Sequence, residues 1–147
     1  MPNTVTLHRA ADKSSAAAGS CFAADESDAA AYLDNPGYGG ASLHSLTVEV
    51  ESDAVLSLVD GRRACVPHGR MASNAWTRLA DAIGADVDVD ALRDGNESVE
   101  RAIDGRRVRA ALAAAGYEWV VYEDTFPVAC VTWVYLGSDT LALVEAS

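Results

Sequence analysis

Apolar and polar residues alternate near both ends of the chain, which is typical of strands that bury one face. The longest alternating stretch is 42–50, where even-numbered residues would lie on one face and odd-numbered residues on the other. Shorter stretches predict strands at 5–9, 20–24, 55–59, 119–122, 128–135 and 141–144. Strands are therefore expected at the start and at the end of the fold.

The middle of the chain changes to helical spacing. Trp76, Leu79, Ala80 and Ile83 are separated by three, one and three positions. This spacing predicts a helix that ends at Gly84. Further helices are predicted at 25–33, 87–92, 97–103 and 108–115, and a loop rich in glycine is predicted at 35–40.

The order of these elements indicates the fold class. Strands at both ends enclose a helical middle, without the regular strand–helix alternation of a parallel sheet, which predicts an α+β fold with largely antiparallel sheets. A chain of 147 residues is about one domain long. We therefore expect a single domain over 1–147.

The composition narrows the class of partner. The chain has 22 acidic and 11 basic residues, for a net charge of −11. Because such a charge repels phosphate backbones, direct binding of nucleic acid is not expected. A basic protein partner, or mimicry of DNA by the acidic surface, fits the charge better. The simplest alternative is that the acidity only keeps the protein soluble.

Cysteine usage and hydropathy indicate the compartment. Cys21, Cys65 and Cys130 lie far apart, which predicts reduced thiols and a cytoplasmic protein. No basic, apolar leader begins the sequence, and apolar runs fall short of the ~20 residues of a spanning helix. We expect no contact with a membrane.

Several common catalytic motifs are absent from the sequence. It contains neither phosphate-binding glycine motif, GxxxxGK[ST] or GxGxxG, and neither G-x-S-x-G nor HExxH. His8, His44 and His68 lie on three separate segments. A metal site is therefore not expected.

The remaining polar constellation suits cleavage of NAD. His8 and Arg9 lie on the first predicted strand, and Glu123 and Asp124 end a late one. Breaking the nicotinamide–ribose bond builds positive charge on the ribose, which a fixed carboxylate stabilises. An aromatic ring such as Phe22 or Tyr32 could stack on the nicotinamide.

Two segments resemble a known family. The run Gly19-Ser20-Cys21-Phe22-Ala23-Ala24-Asp25-Glu26, followed by an extended Leu-x-Val-x-Val segment, is similar to the small phage-encoded anti-CRISPR ADP-ribosyltransferases. So is 114–124, which runs from a helix through Gly116 and an aromatic residue to an acid. Members of that family modify the type I-F CRISPR surveillance complex. The resemblance covers about the first fifty and the last forty residues.

The resemblance implies a fold and a site. NAD would lie in a cleft between two small, mostly antiparallel sheets with flanking helices. His8 would contact NAD, and Asp124, or its neighbour Glu123, would be the catalytic acid. Arg9, which stands where the family has a small hydroxyl residue, would bind the pyrophosphate. The implied lining of the nicotinamide pocket consists of Phe22 with its neighbours Ser20, Ala23 and Asp25. The unmatched residues at about 61–105 would be a helical insertion that recognises the target.

The same residues also have structural interpretations. Phe22 could be a core aromatic, His8 a hydrogen-bonded strand residue, and Glu123–Asp124 the start of a turn. Their joint order favours the functional interpretation. The resemblance then implies an NAD-dependent mono-ADP-ribosyltransferase that consumes NAD as a substrate and inactivates a host defence protein in the host cytosol. The alternatives are a non-enzymatic acidic inhibitor that mimics DNA, and an NAD glycohydrolase toxin. The target subunit, the acceptor residue and the oligomeric state stay open.

Overall fold

The computed structural model describes residues 3–33, 42–60, 70–95, 98–124 and 130–145. Its strands are β1 (Asn3–Ala11), β2 (Ser15–Ala16), β3 (Cys21–Ala23), β4 (Ser42–Val50), β5 (Val55–Ser57), β6 (Val59–Asp60), β7 (Arg70–Met71), β8 (Trp119–Asp124), β9 (Cys130–Tyr135), β10 (Leu141–Ala142) and β11 (Val144–Glu145). Its helices are α1 (Glu26–Leu33), α2 (Ala75–Ile83), α3 (Val89–Asp94), α4 (Val99–Asp104) and α5 (Arg106–Ala114). The α+β class is confirmed.

Seven strands form one sheet in the order β11-β4-β1-β3-β9-β8-β5. Neighbours in it are antiparallel, except that β5 and β8 run parallel. The pairs β2–β10 and β6–β7 form small separate ribbons. This differs from the expected pair of small sheets. Because β9 pairs with β3 along one edge and with β8 along the other, strands from both ends of the chain join into one sheet.

The register assigns residues to two faces, because residues opposite each other on antiparallel strands point to the same side. One row across four strands consists of His8, Ala23, Thr132 and Tyr122. The adjacent row on β3, β9 and β8 consists of Phe22, Trp133 and Val121. We call the side of the first row the helical face and the side of the second row the aromatic face.

Each face has its own core. On the helical face, Val120, Tyr122 and Val134 pack with buried residues of α2 to α5. These helix residues include Leu79, Ile83, Val89, Val99, Ile103, Val108 and Leu112. On the aromatic face, the core contains Leu7, Phe22, Leu46, Trp119, Val121, Val131, Trp133 and Tyr135. The predicted helical middle is thus a layer on one side of the sheet, while α1 packs against β1, β3 and β4.

The predicted elements agree with the structure most closely where one face is buried. The strand at 42–50 has the predicted bounds, and the helix before Gly84 is present as α2. The strand predicted at 55–59 is divided at Leu58, whose N–H donates to the Val121 carbonyl while its own carbonyl accepts from Ala72. The two-residue strands β2 and β7 were not predicted. The loop predicted at 35–40 lies outside the described residues.

Candidate functional site

His8 and Arg9 lie side by side on β1 but face opposite ways, since successive strand residues alternate between faces. His8 is half-buried, on the helical face, opposite Ala23 of β3 and Ser45 of β4. Arg9 shares the aromatic face with the buried Leu7. Any ligand that uses both side chains must therefore reach around the strand or past its neighbours.

Arg9 is fixed by its surroundings. Its Nη1 donates to the Cys21 carbonyl at 2.8 Å, and its guanidinium carbon lies 5.9 Å from the centre of the Phe22 ring. This distance is within the range of a cation–π interaction. The Nε atom is buried and has no hydrogen-bond acceptor among the described residues. An unpaired buried donor on a charged group is costly. The residue as a whole is half-buried, and its one hydrogen bond to the described residues is the bond from Nη1 to Cys21, so the Nη donors rather than the buried Nε could bind an acceptor from outside the chain.

Phe22 and Ala23 lie in the interior. Phe22 is only 1 % exposed and packs edge-to-face on Trp119, with the ring centres 5.7 Å apart. Ala23 is also buried. The Phe22 ring belongs to the core of the aromatic face and lies within cation–π distance of Arg9. The predicted stacking on a nicotinamide would require the ring to become exposed.

Ser20 and Asp25 lie at the two ends of the Phe22 strand. The Ser20 carbonyl accepts from the Tyr135 N–H at 3.0 Å, which extends the pairing of β3 with β9. Asp25 begins α1, because its carbonyl accepts from the Ala29 N–H and its carboxylate from the Ser27 N–H at 2.8 Å.

The Asp25 carboxylate is stabilised in its charged form. The Ser27 hydroxyl and the Ser27 backbone N–H hold the pKa of Asp25 below its ordinary value, and the nearby His8 acts in the same direction. Asp25 is therefore ionised at neutral pH, near His8 of β1. Tyr32 belongs to α1, but its side chain lies outside the described part of the structure.

The two candidate acids end β8. Glu123 lies opposite Val131 and is half-buried, on the same face as Phe22 and Arg9. Asp124 pairs with Cys130 through its backbone, and its side chain lies outside the described part of the structure. The predicted turn at 125–127 is also outside it. Glu123 and Asp124 are thus the last two residues of the strand β8.

The sheet holds the basic and the acidic candidates at a fixed separation. Between β1 and β8 lie β3 and β9, so three strand spacings, about 14 Å, separate the two backbones. His8 lies opposite Ala23 and near Asp25, whereas Arg9 lies beside Phe22 on the other face. Glu123 and Asp124 lie across the sheet from these residues, at a distance that only an extended ligand would bridge.

His44 is a neighbour of Arg9 that the sequence did not assign to the site. It lies opposite Arg9 on β4, is 2 % exposed, and its Nδ1 is 3.3 Å from the Ser42 carbonyl. The alternation in 42–50 already placed His44 on the buried face of its strand. The alternation does not predict the register between β1 and β4, and this register places His44 opposite Arg9.

The described ranges contain no group of three or more histidine, cysteine or carboxylate side chains that could hold a metal ion. No helix among these residues has the length and apolar character needed to cross a membrane. No known protein family, curated protein or solved structure matches this chain.

Proposed function

We propose that this protein is an NAD-dependent mono-ADP-ribosyltransferase that modifies and inactivates a host defence protein. The observation that carries the proposal is the environment of Arg9. A half-buried guanidinium held by the Cys21 carbonyl and the Phe22 ring makes one hydrogen bond to the described residues, which leaves Nη donors without an acceptor among them. Guanidinium groups bind phosphate oxygens through directed, charge-assisted hydrogen bonds. The pyrophosphate of NAD supplies such oxygens.

The roles of the other residues are those that the family resemblance implies. His8 contacts NAD from the opposite face of β1 to Arg9, and Asp25 keeps the start of α1 in place near His8. The acid at the end of β8 stabilises positive charge on the ribose as the bond to nicotinamide breaks. We assign this role to Asp124, as the family resemblance implies. Glu123 is the alternative, since it shares the aromatic face with Arg9.

A ligand that contacts both β1 and the end of β8 must span about 14 Å and pass the buried residues of β3 and β9 between them, a length that suits an extended dinucleotide better than a small substrate. The pyrophosphate would lie near β1 and the reacting ribose nearer the end of β8. The net charge of −11 would attract a basic, nucleic-acid-binding target and raise the rate of encounter. A subunit of a type I-F CRISPR surveillance complex, the target implied by the resemblance, is such a protein.

The direct test is transfer of label from radiolabelled NAD to the purified surveillance complex. The wild-type protein is expected to label one subunit at substoichiometric amounts. Asp124→Asn is expected to lower the rate by about 10²-fold or more, as loss of a transition-state contact does. Asp81→Asn, which removes an exposed carboxylate from α2, is the matched control and should leave the rate unchanged.

Arg9→Gln tests the cofactor contact separately. Loss of a charge-assisted contact to the pyrophosphate is expected to raise the KM for NAD about tenfold while kcat changes less. Arg93→Gln removes the same charge from the exposed surface of α3 and should change neither constant. Undiminished labelling by both Asp124→Asn and Glu123→Gln would overturn the assignment of the acid.

Two other outcomes would redirect the proposal. Release of free ADP-ribose without labelled protein would indicate an NAD glycohydrolase. Stoichiometric inhibition of the complex without NAD, weakened strongly by salt, would indicate an acidic inhibitor that mimics DNA. Either result contradicts protein modification.

A further inference from the structure

A cavity of about 390 Å³ lies at the other end of the sheet from Asp124. Its wall is formed by the turn before β3, the exposed side of α5 and the end of β9. The cavity is lined by residues that include Gly19, Asp104, Arg106, Arg109, Ala113 and Leu136. Tyr135 of this wall pairs with Trp119, five positions before Asp124, so the cavity and Asp124 are separated by about 17 Å along β8.

The Arg109 guanidinium is held in a fixed orientation at this cavity. Its Nε donates to the Ile103 carbonyl at 2.8 Å, its Nη1 to the Gly19 carbonyl at 3.3 Å, and its Nη2 to the Asp104 carboxylate at 3.3 Å. Arginine has five N–H donors. Two of these donors are therefore left without an acceptor among the described residues. The three hydrogen bonds already fix the Arg109 side chain, so a ligand would not have to order it.

A glycine in the turn before β3 leaves space for the Arg109 guanidinium. Gly19 has a φ of +92°, and a Cβ at this position would lie 3.1 Å from the Arg109 Nη1 atom. A larger residue would be strained in its backbone and would also crowd the guanidinium. The glycine thus allows its carbonyl to accept a hydrogen bond from the Arg109 Nη1 atom.

The charges around the cavity differ from those of the whole chain. Arg106 and Arg109 lie on its wall together with Asp104, which gives a local charge of about +1 in a chain of −11. Arg106 and its neighbour Arg107 occupy the first turn of α5. Cations at this end of a helix are repelled by the helix dipole, and a bound anion would offset that cost.

We infer that this cavity binds a small phosphomonoester. A phosphate dianion suits two guanidinium groups, one of them already oriented, better than a single-charge anion does. The volume is at the lower end of the range for small-molecule sites, and it leaves room for a short apolar body beside the phosphate. Ala113 and Leu136 offer apolar surface for that body. The site is independent of the proposed transferase activity, since it uses none of the same residues.

Phenyl phosphate is a suitable probe, with phenol as its neutral counterpart. Titration followed by ¹⁵N chemical shifts, including the Arg109 Nε–H signal, is expected to give saturable binding with a Kd on the order of 1 mM, and no binding of phenol. Arg106→Gln is expected to weaken binding about tenfold. Arg107→Gln carries the same change of charge one residue away, off the cavity wall, and should weaken binding less than about twofold.

A second pair of variants tests the cavity without changing charge. Ala113→Leu fills the space beside Arg109 and is expected to abolish binding, whereas Ala114→Leu lies on the same helix outside the cavity and should not. Circular dichroism should show all four variants folded, because the altered side chains make none of the hydrogen bonds described above. Absence of saturable binding, equal binding of phenol, or equal effects within either pair would overturn the inference. None of these results depends on labelling by NAD.

Discussion

The two halves of the large sheet are covered in different ways. In β8 and β9, the residues from Trp119 to Tyr122 and from Val131 to Tyr135 are buried, whichever face they occupy. In β1 and β4, one side carries buried residues such as Leu7 and Leu46, while Thr6 and Thr47 on the other side are exposed. The helices of the middle segment cover β8 and β9, and the aromatic core lies on their other side.

This difference affects the cost of polar side chains within one sheet. A strand covered on both faces carries an unpaired polar group at a high cost, as with the buried indole nitrogens of Trp119 and Trp133, which have no hydrogen-bond partner among the described residues. A strand with an open side can hold polar side chains at lower cost. His8 lies on the more open side of this half, Arg9 lies on its covered side with Leu7, and the candidate acids lie where β8 reaches the end of its covered stretch.

The largest expected effect follows from removing a side chain of the doubly covered half. Trp119 is fully buried and contacts Phe22, Trp133 and Tyr135 through their rings. Trp119→Ala is expected to lower the free energy of unfolding by about 3–5 kcal/mol. Denaturation in urea measures this. Val144→Ala, at a position 68 % exposed on the edge strand β11, should change it by less than about 0.5 kcal/mol. Similar losses at both positions would contradict the contrast between covered and open strands.

A smaller loss is expected where a glycine touches this core. A Cβ added at Gly137 would collide with the ring of Tyr135, which is buried beside Trp119. Gly137→Ala is therefore expected to cost about 1–3 kcal/mol through overpacking. In a Tyr135→Leu background the same substitution should cost much less, and a double-mutant cycle in urea measures the difference. If Gly137→Ala lowers the free energy of unfolding equally in both backgrounds, the loss comes from the backbone at position 137 and not from the Tyr135 ring.

The alternation of residues predicted those elements whose faces differ. β4 was predicted with its observed bounds because its buried and exposed residues alternate along the whole strand. The division at Leu58 was not predicted, since it depends on a hydrogen bond to Val121 that lies far away in sequence. The joining of β3 to β8 through β9 depends in the same way on pairing partners. A pattern along one segment holds no information on them.

The candidate site was predictable in its residue types but not in its geometry. The sequence singled out Arg9 and Phe22, and the structure stacks one on the other. That His44 lies opposite Arg9 depends on the register of β1 with β4, which the sequence did not give. Whether Asp124 acts as the catalytic acid stays a prediction, which the labelling experiment tests.

The contribution of Asp25 to stability is expected to depend on pH. Asp25 begins α1, the helix that packs against β1, β3 and β4. Asp25→Ala removes the N-terminal cap and is expected to cost about 1 kcal/mol at neutral pH. Because the pKa of Asp25 is lowered in the folded state, its contribution is present above the unfolded pKa, near 4, and is lost as the pH falls through the folded value. Asp25→Asn keeps a capping oxygen without a titrating group, so its stability should lack this pH dependence. Urea denaturation between neutral and acidic pH compares the three proteins.

The smallest effect is expected on the open side itself. The hydroxyls of Thr6 and Thr47 are 3.0 Å apart on directly opposite residues of β1 and β4, and both are exposed. Cross-strand pairs of this kind contribute about 0.2–1 kcal/mol. A double-mutant cycle with Thr6→Ala and Thr47→Ala should give a coupling energy at the lower end of that range, because water competes for both hydroxyls. A coupling energy as large as the loss of unfolding free energy in Trp119→Ala would contradict this expectation. It would mean that the side of β1 and β4 carrying Thr6 and Thr47 is covered in solution and forms an interface.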